Sequence, residues 1–403
     1  MSAPVIIIGA GLAGWTTARE FRKLDSTTEL LLVTDDSGDF YAKPSLSNAF
    51  AQGRLPAQLV STPAAKMAET LNVTLMTRSR VQSIDTAAQT IRVSNSTGHL
   101  TLAYRDLVLA TGAKPIHVPV SGDAAAQVVS VNSLDDFAVF HARLQQTTGV
   151  ADDLKPHVLI MGAGLIGCEF ANDLAHAGYR VSLVDPSLRA LAALLPPEAS
   201  AALQGALEAL GVRFYFGNTV SAVSTTPTTA ETSSLMQITL ANGELVATDA
   251  VLSAVGLRAD TALAQAAGLV VDRAIAVDSY LQTSAQHVYA LGDSAQYASA
   301  ASSLSAHGSA LPYVMPIMNA AKALASTLAG TPAELVFPLM PISVKTPALP
   351  LVVAPARAGL TGGWTSADAG IWQWLDESGL QRGFVLSGPQ TAQRMAQSKL
   401  VAL

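Results

Sequence analysis

Short apolar runs recur along the chain, each the length of a buried strand, each closed by glycine or an acid and followed by a longer stretch of mixed polarity. Val5-Ile-Ile-Ile8, Leu30 to Val33, Leu107 to Ala110, Val158 to Met161 and Val181 to Val184 are such runs. Mostly apolar segments of this length suit parallel strands covered on both faces, and the stretches after them suit helices. The predicted fold class is α/β, with two Rossmann-like domains and a smaller α+β domain at the C-terminal end.

Two of these runs are copies of one motif. Val5-Ile-Ile-Ile-Gly9-Ala-Gly11-Leu-Ala-Gly14 returns as Val158-Leu-Ile-Met-Gly162-Ala-Gly164-Leu-Ile-Gly167, with seven of ten positions identical. Each places GxGxxG between a strand and a helix. There the first glycine permits a tight turn, the second lets the backbone approach a pyrophosphate, and the third lets helix and strand pack closely. The phosphates would sit at the helix N-terminus, where free N–H groups and the helix dipole favour an anion. A single GxGxxG is weak, so the test is an acid about 20 residues further on, at the end of a second strand. Both copies meet it: Glu29 to Val33 runs into Thr34 and Asp35, and Arg180-Val-Ser-Leu-Val ends on Asp185. Asp35 and Asp185 are therefore the candidates for the ribose hydroxyls. An acid there favours the ribose diol of NADH over the 2′-phosphate of NADPH, although Arg189, four residues beyond Asp185, can soften the preference.

The first copy belongs to an interrupted domain. Thr283 to Asp293 reads as a turn, a short strand and a Gly292-Asp293 ending, where Asp293 can accept from a flavin ribityl hydroxyl and the Gly292 backbone can approach phosphate. Asp106 to Gly112 and Asp249 to Gly256 read as strand-to-glycine crossings between domains. The expected division is a discontinuous FAD domain at 1–115 and 251–331, an inserted NAD domain at 116–250, and a C-terminal domain at 332–403. In the last, Gly359 to Phe384 reads as hairpins with Trp364, Trp372 and Trp374 packed in them, and a helix is expected from Thr391. The Ser-, Thr- and Ala-rich stretches 224–234 and 298–306 read as surface loops.

Composition narrows the function. With 403 residues, 50% hydrophobic and only 13% charged, the chain is long enough for several cores and is not of disordered type. No apolar run reaches the ~18–20 residues of a membrane span, so no membrane role is expected. The apolar start imitates a signal peptide but lacks a basic leader, and its glycines belong to the fingerprint. A net charge of −6 removes the expectation of a nucleic-acid surface. The one cysteine, Cys168, permits neither a disulfide framework nor an iron–sulfur centre, which suits the cytoplasm. His141, His157, His287 and His307 fall in no metal-ligand spacing, and no metal is assigned.

Four further segments carry a resemblance. Tyr41-Ala-Lys43-Pro44-Ser-Leu-Ser, Gly167-Cys-Glu169 continuing to Leu174, Tyr313-Val314-Met-Pro-Ile-Met, and Val344-Lys345-Thr-Pro-Ala-Leu-Pro, in this order around the fingerprints, resemble the FAD-dependent pyridine-nucleotide reductases, and among them the rubredoxin reductases. The resemblance spans nearly the whole chain. It implies that FAD contacts Gly9, Gly11, Leu12, Ala13, Gly14, Thr34, Asp35, Lys43, the backbone of Val81, Glu169, Asp293, Val314 and Lys345. NADH would use Gly162, Gly164, Gly167 and Asp185. It also implies that the C-terminal domain covers the flavin.

One departure bears on mechanism. Disulfide reductases of this superfamily carry cysteine beside the flavin, and Lys43 to Phe50 contains none, while Ser45 and Ser47 are far poorer nucleophiles. Dithiol chemistry is thus excluded, and Cys168, on the first turn after the second fingerprint, reads as packing. What remains is hydride transfer from nicotinamide to flavin, with the protein supplying position and charge. Lys43, Glu169 and Lys345 are the candidate catalytic residues, Lys43 expected to pair with Glu169 and Lys345 to add a second positive charge. The resemblance implies electron transfer from NADH through FAD to rubredoxin, which in turn supplies an alkane hydroxylase or an enzyme that removes oxygen species. Two alternatives stay open: a ferredoxin reductase serving a monooxygenase, and a flavin-binding redox sensor with little turnover.

Overall fold

The structure is a computed structural model that describes residues 3–147, 155–226, 236–298, 310–357 and 359–402. The apolar runs form two parallel sheets built to one plan. In the first, Val5–Ile8 lies between Leu30–Val33 and Asp106–Leu109, with Thr74–Met76 and Val288–Ala290 outside them. In the second, His157–Met161 lies between Arg180–Asp185 and Ala250–Ser253, with Arg213–Phe216 outside. Each sheet's fourth strand in chain order is preceded by a three-stranded antiparallel meander, Arg80–Asp85, Thr90–Asn95 and Gly98–Ala103 in one unit, Val220–Thr225, Met236–Leu240 and Leu245–Thr248 in the other. The repeat seen in the fingerprints is thus a repeat of topology.

Val5, Ile6 and Ile7 are shielded completely from solvent. Such burial contributes about 1.5–3 kcal/mol per side chain, so these runs specify the sheet centre. The helices Leu12–Leu24 and Leu165–His176 begin inside the fingerprints, at the residue after each middle glycine.

The third domain is an antiparallel sheet ordered Ile342–Val344, Leu351–Ala354, Gln381–Ser387, Ile371–Asp376, Gly362–Asp368. Trp364 faces Trp374 across one hairpin, and Trp372 is buried. The helix expected from Thr391 begins as a tight turn over Gly388–Gln393 and becomes α-helical at Arg394–Leu400.

Two expectations need correction. The boundary at 250/251 falls inside the strand Ala250–Ser253, whose partner His157–Met161 keeps it in the second sheet. The crossing lies later, where Leu257–Ala259 pairs antiparallel with Ala113–Pro115. Ser224 and Thr225, expected in a loop, end the strand Val220–Thr225. The remainder of the two polar stretches, apart from Thr226 and Ala298, and also His307, lie outside the described residues. Among the described residues no helix is long and apolar enough to cross a membrane.

One hydrophobic core joins all three parts of the chain. Leu46, Phe50 and Leu59 from the first unit pack with Phe140, Phe170 and Leu174 of the second and with Val344, Leu351 and Val385 of the third. The Lys43–Asn48 turn, which carries the first candidate lysine, is therefore held from both sides.

Candidate active site

The two fingerprints are near-superimposable in what each glycine meets. A β-carbon on Gly9 would lie 2.3 Å from the Ala110 carbonyl oxygen, and one on Gly162 would lie 2.7 Å from that of Ala254. On Gly14 and on Gly167 it would fall 1.9 Å from the carbonyl oxygen of the first glycine of its own motif. Those four glycines are required by the fold itself. The middle glycines are not: Gly11 and Gly164 have extended backbone, at φ −74° and −78°, which any residue adopts, and a β-carbon on either meets no protein atom within 4 Å. The helices they precede have no side-chain cap and no acid in the first turn. Open space over uncapped N–H groups fits a pyrophosphate at each helix start.

At the second fingerprint, Asp185 stands where expected. Its two oxygens accept from the backbone N–H groups of Ala163 and Ser187, each at 2.7 Å, which fixes the carboxylate and leaves lone pairs for a ribose diol. Strand register shows that the two acids are not equivalent: Val33 pairs with Ile8 as Val184 pairs with Met161, so Thr34, the next residue, occupies the place of Asp185. Asp35 lies one residue further out, exposed and paired with Arg80 at 3.1 Å. Arg189 is engaged in its own loop, its guanidinium donating to the carbonyls of Ala192 and Leu195. Those bonds give no support to the softening that the sequence suggested. Asp185→Ala is expected to weaken NADH use by about 10-fold while bringing only a small gain with NADPH, because Arg189 is already engaged by the carbonyls of its own loop. Initial rates with both nucleotides check this, and strong NADPH activity in the single variant would contradict it.

The first site is assembled from distant segments. Gly292 has φ +77°, and a β-carbon on it would press at 3.0 Å on Ala13, so the Gly292-Asp293 turn lies against the first turn of the fingerprint helix. Its N–H donates to the buried Tyr297 hydroxyl at 2.9 Å. The helix Val314–Leu328 packs on both this turn and Leu12–Leu24, with Val314 exposed at its start. Ser79 donates to the Thr34 carbonyl at 2.8 Å, which brings the strand carrying Val81 past Thr34.

Lys43 lies within electrostatic reach of Asp293. It presents surface to solvent, yet the crowded walls lower its ammonium pKa by desolvation, an effect opposed by the charges of Asp293, Asp136 and Asp36. Burial raises the Asp293 pKa in turn, and Lys43 opposes that. The two groups thus stabilise each other's charge.

Lys43 does not pair with Glu169. Its ammonium donates to Asn132 at 3.0 Å, and the partner of Glu169 is Lys345, at 2.9 Å. The reason is access: Glu169 is only 1% exposed and is enclosed by the turn that follows Lys43 and by the segment carrying Lys345. Glu169 also accepts from the Ser47 hydroxyl at 2.7 Å and from the Lys345 backbone N–H at 2.9 Å. The Lys345 ammonium donates further to the Pro44 carbonyl.

Sequence reasoning missed that Glu169 belongs to a row. Asn172 and Asp173 stand three and four residues on, on the same helix face. Asn172 accepts from Ala348 N–H at 3.0 Å, and Asp173 accepts from Phe50 and Ala51 at 2.9 and 3.0 Å. Desolvation raises the Asp173 pKa against those backbone donors. One helix face in the second unit thereby ties down both the Lys43 turn and the third domain. Three polar residues at i, i+3 and i+4 on an otherwise buried helix were the available signal. Cys168 is fully buried, and desolvation pushes its thiol up to about 12, so it stays protonated and unreactive. Among the described residues no group of three or more His, Cys, Asp or Glu is placed to hold a metal.

Comparison with known proteins agrees with this geometry. Residues 3–323 match the family described as pyridine nucleotide-disulphide oxidoreductase, and residues 334–401 match a rubredoxin binding C-terminal domain. The chain is 42% identical over 399 residues to the rubredoxin-NAD(+) reductase of Alcanivorax borkumensis, covering 98% of each chain. It is 39% identical over 402 residues to the rubredoxin-NAD(+) reductase of Acinetobacter baylyi, covering 99% of this chain and 98% of that one. Among solved structures, a ferredoxin reductase from Rhodopseudomonas palustris superposes with a TM-score of 0.82 at 25% identity, covering 98% of this chain and 93% of that one.

Proposed function

Because the chain belongs to the pyridine nucleotide-disulphide oxidoreductase family, we propose that it is a flavoprotein reductase carrying electrons from NADH through FAD to rubredoxin. The observation that carries this reading is the pair of middle glycines, Gly11 and Gly164, kept at positions where neither the backbone nor any protein neighbour asks for glycine. That open space, repeated in both units, suits a bound pyrophosphate. Bound FAD would supply the conversion of a two-electron hydride donor into a source of single electrons for a one-iron carrier.

The chain's residues supply binding, orientation and charge. Gly9 to Gly14, Thr34, Asp35, the Val81 backbone, Asp293 and the start of the helix at Val314 form the FAD cradle. Gly162 to Gly167 and Asp185 hold NADH. Lys43 and Lys345 bring positive charge toward the flavin, where it favours the reduced form, and Glu169 keeps Lys345 in place through the ion pair at 2.9 Å. The third domain carries the rubredoxin contact. Its match to a rubredoxin binding domain and the reach of Lys345 into the site support that role. A ferredoxin acceptor is the second reading, favoured by the likeness to a ferredoxin reductase. We place the protein in the cytoplasm, which suits a chain with one buried, protonated thiol.

Anaerobic mixing of the FAD-loaded protein with NADH tests the first half of this function. The visible flavin absorbance is expected to bleach and to return on adding oxidised rubredoxin. A flavin that stays oxidised with excess NADH would refute it.

A further inference from the structure

Lys43 is held by a residue from another part of the chain. Its Nζ donates to Asn132 Oδ1 at 3.0 Å, while Asn132 Nδ2 donates to the Ala113 carbonyl at 2.8 Å. The second bond decides the direction of the first. A main-chain carbonyl only accepts, so the amide must turn its NH2 to Ala113 and its oxygen to the ammonium.

The backbone beneath Asn132 is equally constrained. It precedes the helix Leu134–Thr147, whose start is a reciprocal cap: Ser133 Oγ accepts from Asp136 N–H at 3.1 Å, and Asp136 Oδ2 accepts from Ser133 and Asn132 N–H at 2.9 and 3.0 Å. Leu134 N–H donates to the Tyr41 hydroxyl at 3.1 Å, two residues before Lys43. A lysine ammonium on its flexible stem has no fixed direction of its own. Around Lys43 the acids Asp293, Asp136 and Asp36 all attract it.

We propose that Asn132 is a positioning residue for Lys43, its amide bridging Ala113 and the ammonium so that the charge is held in place. This rests on the reading of Lys43 as a flavin-facing charge. Asn132 comes from the inserted unit and Ala113 from the crossing strand, so the place of the charge depends on how that unit seats against the first.

The test compares FAD-loaded wild type, Asn132→Ala, Lys43→Met and the double variant. Two quantities are read: the reduction potential of the bound flavin and the anaerobic rate of its reduction by NADH. Asn132→Ala leaves the Ser133–Asp136 cap in place. It is expected to lower the potential in the same direction as Lys43→Met, and to slow reduction at saturating NADH by about 10-fold with half-saturation within about twofold. In the double variant the loss should equal that of Lys43→Met alone. If Asn132→Ala does not retain FAD, Asn132→Ser decides by the same comparison. Wild-type potential and rate in the Asn132 variant, or an undiminished loss in the Lys43→Met background, would overturn the inference while the proposed function stands. A wild-type flavin that NADH does not reduce would overturn both.

Discussion

Gly164→Ala is expected to leave the fold and the bound FAD intact and to raise the NADH concentration for half-maximal flavin reduction by about 100-fold. The backbone there accepts alanine, at φ −78° and ψ −168°, and the new methyl group meets no protein atom within 4 Å. Loss of a glycine from such a position tends to stabilise a chain, by about 0.4–1 kcal/mol, through the unfolded state. Only a ligand that fills the space would notice the change. Gly11→Ala makes the matching case at the first site, where the expected outcome is a well-folded apoprotein that fails to retain FAD. Gly167→Ala is the control of opposite kind. Its methyl would stand 1.9 Å from the Gly162 carbonyl oxygen, and the helix must move off the strand at a cost on the order of 3–5 kcal/mol. Thermal unfolding and NADH titration of the three variants separate the two causes. A destabilised Gly164→Ala protein with normal NADH dependence would contradict the assignment.

Lys345→Met is expected to cost about 2–3 kcal/mol, because it removes the only countercharge among the described residues within ion-pair distance of a buried carboxylate, while keeping most of the side-chain volume. The figure lies below that of a fully enclosed pair, since Lys345 keeps a side-chain exposure of 36% and Glu169 retains Ser47 and the Lys345 backbone N–H as donors. The loss should appear as a lower denaturant midpoint for the transition that frees the third domain, because Glu169 binds that domain through both the ammonium and the backbone of Lys345. Lys43→Met, at an exposed site, should change stability by less than about 0.5 kcal/mol and act on the flavin instead. Equal stability of Lys345→Met and wild type would contradict the role given to this pair.

Much of the fold is legible in the sequence because the apolar runs are short, fully buried and followed by turns that only glycine completes. Val5–Ile8 and His157–Met161 are therefore visible as strand centres, and the spacing to Asp185 follows from the length of one helix and one strand. What escapes are the places where local signals are shared by different structures. The inserted unit reads as ending at 250 because Asp249 to Gly256 is one strand-to-glycine segment, and only pairing with His157–Met161 shows on which side of the crossing it falls. The same limit applies to charges. Lys43, Glu169 and Lys345 are visible as a set, but which lysine meets Glu169 depends on burial from three distant segments. Asn132 leaves only the Ser133-x-x-Asp136 capping pattern beside it, which marks a helix start and says nothing of the lysine it faces.

The most direct measurement is anaerobic turnover of the FAD-loaded protein with NADH, offered oxidised rubredoxin or a [2Fe-2S] ferredoxin and followed by the visible absorbance of each carrier. Fast bleaching of rubredoxin with slow reduction of the ferredoxin is the expected result. Fast ferredoxin reduction with rubredoxin left oxidised would contradict it and assign the third domain to a different carrier.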